Sequence, residues 1–180
     1  MWAAQSIEIS ENQLFLTSGG MGAMGYALPA SIGACFALDV KPVVVIAGDG
    51  CMQINIQELQ TIVRNKLPIK IVVMNNRNLG MIRQFQDSYF NSRYQSTYWG
   101  YSAPDFEKVA KAYGIDSITI NEEVEIENGV KWMWNEKNNN APVLLQVMID
   151  PHTNTYPKIA FGKPITEMEP FAKPIEMEST

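Results

Sequence analysis

The run Val43-Val44-Val45-Ile46-Ala47-Gly48-Asp49-Gly50, with Ile69-Lys70-Ile71-Val72-Val73-Met74-Asn75-Asn76 downstream, decides the fold. Each begins as an apolar, β-branched run of strand length and ends in small or polar residues. The stretch between them, from about Gln53 to Arg64, has a helical pattern. Two strands flanking one helix make a βαβ unit with a right-handed crossover. That geometry sets the carboxyl ends of both strands side by side, where open parallel sheets bind ligands. Asp49 and Asn76 then offer two hard oxygens from adjacent strand ends. Magnesium takes a near-octahedral oxygen shell, often one or two carboxylates completed by phosphate and water. Gly50 permits a tight turn into the next helix, whose free N–H groups and dipole favour an anion. Strand, carboxylate, glycine and helix start together read as a magnesium–diphosphate site.

Working outward, Leu14–Thr17 reads as a short strand, followed by a glycine block and a helix from about Tyr26 to Leu38. A helix is expected from Leu79 to about Asp87, then an irregular surface loop over Ser88–Ala103. Asp105 is placed to cap a helix that runs to about Tyr113 and stops at Gly114. Ser117–Ile120 and Val143–Ile149 are further strands, separated by a helix near Val130–Lys137 and an exit loop at Asn138–Asn140. The alternation argues for an α/β fold with a mainly parallel sheet and helices on both faces. Residues 1–150 form the expected domain and 151–180 a tail holding five of the ten prolines. That tail reads either as a surface-hugging or disordered segment or as a flap over the site. His152, the only histidine, is expected as an exposed turn residue.

The chain has 180 residues, 46% of them hydrophobic, which suits one domain with a substantial core. A net charge of −5 with 14 Lys+Arg gives no basic footprint for nucleic acid. No apolar run approaches the roughly 18 residues a membrane span needs. Cys35 and Cys51 lack metal-type spacing and are expected as reduced thiols of a cytoplasmic protein. Gly20-Met21-Gly22-Ala23-Met24-Gly25 fits a dinucleotide fingerprint, which also needs an acidic residue at the end of the next strand. Asp39 precedes that strand and Asp49 comes too late, so nicotinamide binding is set aside.

GDG at 48–50 followed some two dozen residues later by Asn75-Asn76 resembles the motif of thiamine diphosphate enzymes. Thr17-Ser18-Gly19-Gly20-Met21-Gly22-Ala23-Met24-Gly25-Tyr26-Ala27-Leu28-Pro29-Ala30 and Asn75-Asn76-Arg77-Asn78-Leu79-Gly80-Met81-Ile82-Arg83-Gln84 are similar to acetolactate synthase catalytic subunits. The resemblance runs from Met1 to roughly Lys163. It implies the C-terminal diphosphate-binding domain alone, lacking its first strand and the turn after it. It implies also that the pyrimidine-binding domain, with its activating glutamate, is supplied elsewhere. On this reading the chain alone is not expected to turn over substrate.

By that resemblance Asp49, Asn76 and the Asn78 carbonyl hold Mg2+, and N–H groups at Gly50 and Cys51 meet the diphosphate. Leu79, Gly80 and Met81 continue the cradle, the Gly22 carbonyl accepts from the aminopyrimidine, and Met24 supports the bent cofactor. Met81, Ile82 and Phe85 line the substrate side, and no side chain is assigned as catalytic. Phe85 stands where biosynthetic acetolactate synthases usually carry Trp, which leaves the second substrate open. The blander readings are a strand-end cap for Asp49, a turn residue for Asn76, and core packing for Met24 and Phe85. The implied reaction decarboxylates a 2-oxo acid such as pyruvate and transfers two carbons to a second 2-oxo acid. Family members are dimers or tetramers, and the aromatics Tyr89, Phe90, Tyr94, Tyr98, Trp99 and Tyr101 suit such an interface. The alternatives are a heteromeric decarboxylase subunit and an inactive partner-binding scaffold.

Overall fold

The computed structural model describes residues 1–164 and 166–169. Four parallel strands form the sheet: β1 (Val43–Gly48), β2 (Ile69–Asn75), β3 (Asp116–Ile120) and β4 (Val143–Met148), in the order β1-β2-β4-β3. The register pairs Gly48 with Met74 and Asn75 with Met148, so the carboxyl ends of three strands lie level. Helices α1 (Trp2–Ser6), α2 (Ala27–Ala37), α3 (Asp49–Ile54), α4 (Glu58–Arg64), α5 (Gly80–Tyr89), α6 (Phe106–Ala112) and α7 (Ile126–Met133) complete the chain, with a two-stranded ribbon of β5 (Lys158–Ile159) and β6 (Met168–Glu169).

Side-chain alternation along the strands sorts the core into two layers. Val45, Ile71, Val73 and Leu144 point to one face, which α2, α3, α4 and α6 cover with Leu28, Ile32, Met52, Leu59, Ile62 and Phe106. Val143, Leu145 and Ile120 point to the other face, where Met133 of α7 packs. Gly129 is what lets α7 sit so low: a Cβ there would fall 2.5 Å from Ile120 Cδ1. The sheet thus has helices on both faces, as expected, but the second face is covered only over β3 and β4. At the edge strand β1, Val44 and Ile46 are 49% and 38% exposed.

Three local expectations change. Leu14–Thr17 forms no strand, because no neighbour offers it a hydrogen-bonding ladder, and Leu14, Phe15 and Leu16 are exposed. The helix expected from Gln53 starts earlier, at Asp49, and breaks after Ile54. Asn55 leaves the helical conformation there, and its side-chain amide donates to the Gly25 carbonyl at 2.7 Å, which ties the glycine block to the end of α3. Helix α7 begins four residues before the expected start, behind a capping box in which Glu122 and Glu125 satisfy each other's backbone. Helix α6 is capped by Asp105 as expected, its carboxylate accepting from Lys108 N.

Residues from Pro151 to Gly162 hug the body rather than leave it. Arg83, buried in α5, donates to the carbonyls of His152 and Thr153, and Gln84 exchanges two bonds with the Thr155 backbone. His152 is an exposed turn residue whose ring rests near Tyr98. The expectations for residue 165 and residues 170–180 lie outside the described residues. Cys35 and Cys51 are free thiols. No helix among the described residues is long and apolar enough to cross a membrane.

Candidate functional site

Strand β1 delivers Gly48 in extended conformation, and Asp49 opens α3 as a buried residue, 2% exposed. On the adjacent strand, Asn75 ends β2 and the chain reverses through Arg77, held at φ 55. That left-handed residue is stabilised by an Asn75 side-chain oxygen accepting from Arg77 N at 3.1 Å. The reversal turns both Asn76 and Asn78 inward, where they are 7% and 1% exposed. The sequence pairing of Asp49 with Asn76 is therefore realised in space, and Asn78 joins them.

The Asn76 amide oxygen faces two other oxygens: the Asn78 carbonyl at 2.8 Å and Asp49 Oδ1 at 3.3 Å. Neighbouring ligands in an octahedral magnesium shell are about 3.0 Å apart, given Mg–O distances near 2.1 Å. Without a cation the three oxygens repel, and an amide turned over would donate its N–H to both neighbours instead. Asp49 Oδ2 is buried with no hydrogen-bond partner. The donor set is one carboxylate, one amide oxygen and one carbonyl, all hard and carrying a single negative charge. Among the described residues no cluster of three His, Cys, Asp or Glu exists to form a different metal centre. A donor set this weakly charged fits a divalent cation that arrives with phosphate oxygens of its own.

Burial holds the Asp49 carboxyl above its usual pKa, against the opposing pull of the Gly50 N–H, the nearby Tyr101 hydroxyl and the Asp49 and Arg77 backbones. The charged form is thus disfavoured in the bare site.

Gly50 is required for space rather than for a turn. It has no positive φ, but a Cβ there would fall 2.7 Å from Leu79 Cδ2 and 3.1 Å from Met24 Cε. Met24 thus reaches over the start of α3 from the glycine block, at 42% exposed and outside the core. Gly22 adopts φ 61 beside it, in a turn closed by Gly22 N donating to Ser18 O at 2.6 Å. The first-turn N–H groups of α5 at Gly80 and Met81 have no partner within the helix. The Leu79 N–H, counted as part of the cradle from sequence, is taken by the Thr97 carbonyl at 3.0 Å. Leu79 contributes its side chain to the floor instead.

Met81, Ile82 and Phe85 lie along one exposed side of α5, at 45%, 47% and 43%. Phe85 is not core; its ring packs on Tyr89, with centroids 4.6 Å apart, and edge-on against Phe161 of the tail. The aromatic loop after α5 splits into two populations. Trp99 and Phe90 are exposed, whereas Tyr94 bonds Asp87 and Tyr101 turns toward Asp49.

Four residues that matter to this architecture escaped the sequence reading. Gln146 is 4% exposed in β4; its oxygen accepts from Asn75 Nδ2 and Phe106 N, and its nitrogen donates to Thr119 Oγ1. Lys70, fully buried in β2, donates to the carbonyls of Asn138 and Ala141 and sits over the Trp134 ring. Both interrupt otherwise apolar strands, which was the available signal. Arg83 and Tyr101 had none, since their partners lie far along the chain.

The chain matches the family described as thiamine pyrophosphate enzyme, C-terminal TPP binding domain, over residues 1–147. It is 40% identical over 174 residues to the acetolactate synthase large subunit of Porphyra purpurea, covering 97% of this chain and 29% of that protein. It is 41% identical over 168 residues to the acetolactate synthase isozyme 2 large subunit of Escherichia coli (strain K12), covering 93% and 30%. A thiamine diphosphate-dependent 4-hydroxybenzoylformate decarboxylase of Rhodococcus jostii superposes with a TM-score of 0.62 at 26% identity, over 72% of this chain and 24% of that one. The chain spans less than a third of the length of the curated relatives it matches. It belongs to the thiamine pyrophosphate enzyme family, as a C-terminal TPP-binding domain of the acetolactate synthase-like kind.

Proposed function

We propose that this chain holds the magnesium-diphosphate end of thiamine diphosphate in an acetolactate synthase-like enzyme acting on 2-oxo acids. The convergence of the Asp49, Asn76 and Asn78 oxygens carries this reading. The cofactor, when bound, supplies the electron sink that allows a 2-oxo acid to lose carbon dioxide. Everything else asked of this chain is positioning. Asp49 Oδ1, Asn76 Oδ1 and the Asn78 carbonyl hold the cation, and N–H groups of Cys51, Gly80 and Met81 receive phosphate oxygens. Gly50 keeps the approach open, and its own N–H leans on the Asp49 carboxylate. Met24 supports the ring system from below, with the Gly22 carbonyl as its polar contact. Met81, Ile82 and Phe85 form an apolar wall that keeps water from the reacting atoms.

The second half of the site is proposed to come from a pyrimidine-binding domain or chain, within a homo-oligomer. Support comes from what stands exposed: Met24, the apolar side of α5, and the uncovered face of β1. Residues 151–162, packed along α5, are placed to close over the wall from the other side.

Equilibrium dialysis of thiamine diphosphate with and without Mg2+ tests the proposal. Binding is expected only with the cation, and Asp49→Ala is expected to abolish it. Cation-independent binding, or unchanged affinity in Asp49→Ala, overturns the assignment.

A further inference from the structure

The carboxylate of Asp49 has two oxygens in unequal settings. Oδ1 faces the Asn76 amide among the three converging oxygens. Oδ2 is buried and has no partner. A second buried polar atom without a partner, the Tyr101 hydroxyl oxygen, lies near the same carboxyl group. The two groups feel one another: burial first, and then the charge and acceptor of Asp49, push the Tyr101 hydroxyl well above its ordinary range. A tyrosine hydroxyl can donate as well as accept.

The placement of Tyr101 is fixed by its surroundings. Gln53 Nε2 donates to the Ser102 carbonyl at 3.2 Å, fastening the end of the aromatic loop onto α3. At the loop's other end the Thr97 carbonyl accepts from Leu79 N. Tyr101 lies between these two fastenings, and its hydroxyl would be 3.4 Å from a Cβ added at Gly50. It thus points at the junction of β1 and α3.

We infer that the Tyr101 hydroxyl acts as a positioning residue: it donates to Asp49 Oδ2 and so restricts the carboxylate to one oxygen, Oδ1, toward the cation. The inference rests on the magnesium–diphosphate reading above and extends it to cation choice. A carboxylate free to swing can offer both oxygens, which suits the larger, irregular seven- or eight-oxygen shell of Ca2+. A carboxylate held by one oxygen suits the compact octahedron of Mg2+. Partners of metal ligands commonly carry this kind of orienting role. The loop that carries Tyr101 would then tune the metal site from outside the two strand-end segments that supply the ligands.

The test measures how much Mg2+, and separately how much Ca2+, gives half-maximal thiamine diphosphate binding to the whole 180-residue chain and to Tyr101→Phe. Removing the hydroxyl is expected to raise the Mg2+ requirement about 10-fold or more, while the Ca2+ requirement moves far less or falls. Should the Phe variant not fold, Tyr101→Trp removes the same hydroxyl. Equal weakening with both cations, or no change with either, overturns the inference. A wild-type chain that binds no thiamine diphosphate with either cation overturns the underlying site reading instead.

Discussion

Asp49 Oδ1 and the side-chain amide of Asn76 end 3.3 Å apart, from neighbouring parallel strands whose register pairs Gly48 with Met74. Asp49 is 2% exposed with one oxygen unpartnered, so its charge is held at a cost to the fold. Under the proposed function that cost would be relieved when a cation is bound.

Asp49→Asn should therefore separate stability from binding. Its raised pKa means the native state binds a proton more tightly than the unfolded chain. The cation-free protein should then lose stability as pH rises from the ordinary value of 3.8 through the raised native value. Asn removes that slope. We expect a higher thermal midpoint at neutral pH without cation, and loss of magnesium-dependent thiamine diphosphate binding. Thermal melts across pH, paired with dialysis, check both; a variant less stable than wild type without cation would contradict the account.

Two glycines should respond differently to alanine. Gly25 has φ 83, and a Cβ there would meet Ile54 Cγ2 at 2.7 Å and Asn55 Nδ2 at 2.9 Å. Left-handed backbone plus overlap should cost about 1–3 kcal/mol of stability. Gly50 has an ordinary φ, and its added methyl would meet the movable ends of Leu79 and Met24. Gly50→Ala should unfold near the wild-type urea midpoint while binding thiamine diphosphate more weakly. Urea titration and dialysis together distinguish the two.

Gln146 should prove a structural hub. Its side chain satisfies Phe106 N at the start of α6, the Asn75 amide beside the cation loop, and Thr119 on β3. Gln146→Leu keeps the volume but orphans buried donors, each costing about 1–3 kcal/mol. Gln146→Glu keeps the accepting oxygen and should lose less. Denaturant melts rank the three proteins, and Leu milder than Glu would refute the hub.

The βαβ unit was legible because its signals are local: two apolar runs, a helix and strand-end residues lie within one continuous stretch. Asp49, Asn76 and Asn78 come together for the same reason. The bareness of the second sheet face was not legible, since alternation along β1 is masked by a run of Val and Ile on both sides. Leu14–Thr17 looked like a strand because propensity says nothing about whether a partner edge exists. Tyr101 looked like one aromatic among six, and only the tertiary fastening of its loop by Gln53 turns it inward. Gly50 was read as a turn glycine, whereas close approach of Leu79 and Met24 decides it.

Acid sensitivity should be readable at Glu107. Its pKa is lowered first by the Lys111 ammonium and then by the Thr119 hydroxyl, both hydrogen-bonded to it. A lowered native pKa contributes stability that is present above the ordinary value of 4.5 and lost as pH falls through the native one. Glu107→Gln should flatten that limb of the pH–stability curve without altering binding at neutral pH. A limb of unchanged slope would show that other carboxylates set it.

Arg83 should control whether the segment after β4 stays on α5. Its guanidinium reaches the His152 and Thr153 carbonyls, pairs with Asp87 at 3.0 Å and lies over the Tyr94 ring. Arg83→Met preserves the buried stem but removes the Arg83 donor from those carbonyls and from Asp87 Oδ2, Oδ1 keeping Tyr94 and Ser92. Loosening is expected to spread to Thr155, because its backbone is held by two bonds to Gln84, the residue next to Arg83 in α5. Amide exchange at Thr155 should accelerate by orders of magnitude while β1 and β2 remain protected, and the Phe85–Phe161 contact should be lost with it. If Thr155 stays as protected as in wild type, the segment is held by its apolar contacts and Arg83 serves the loop around Tyr94 instead.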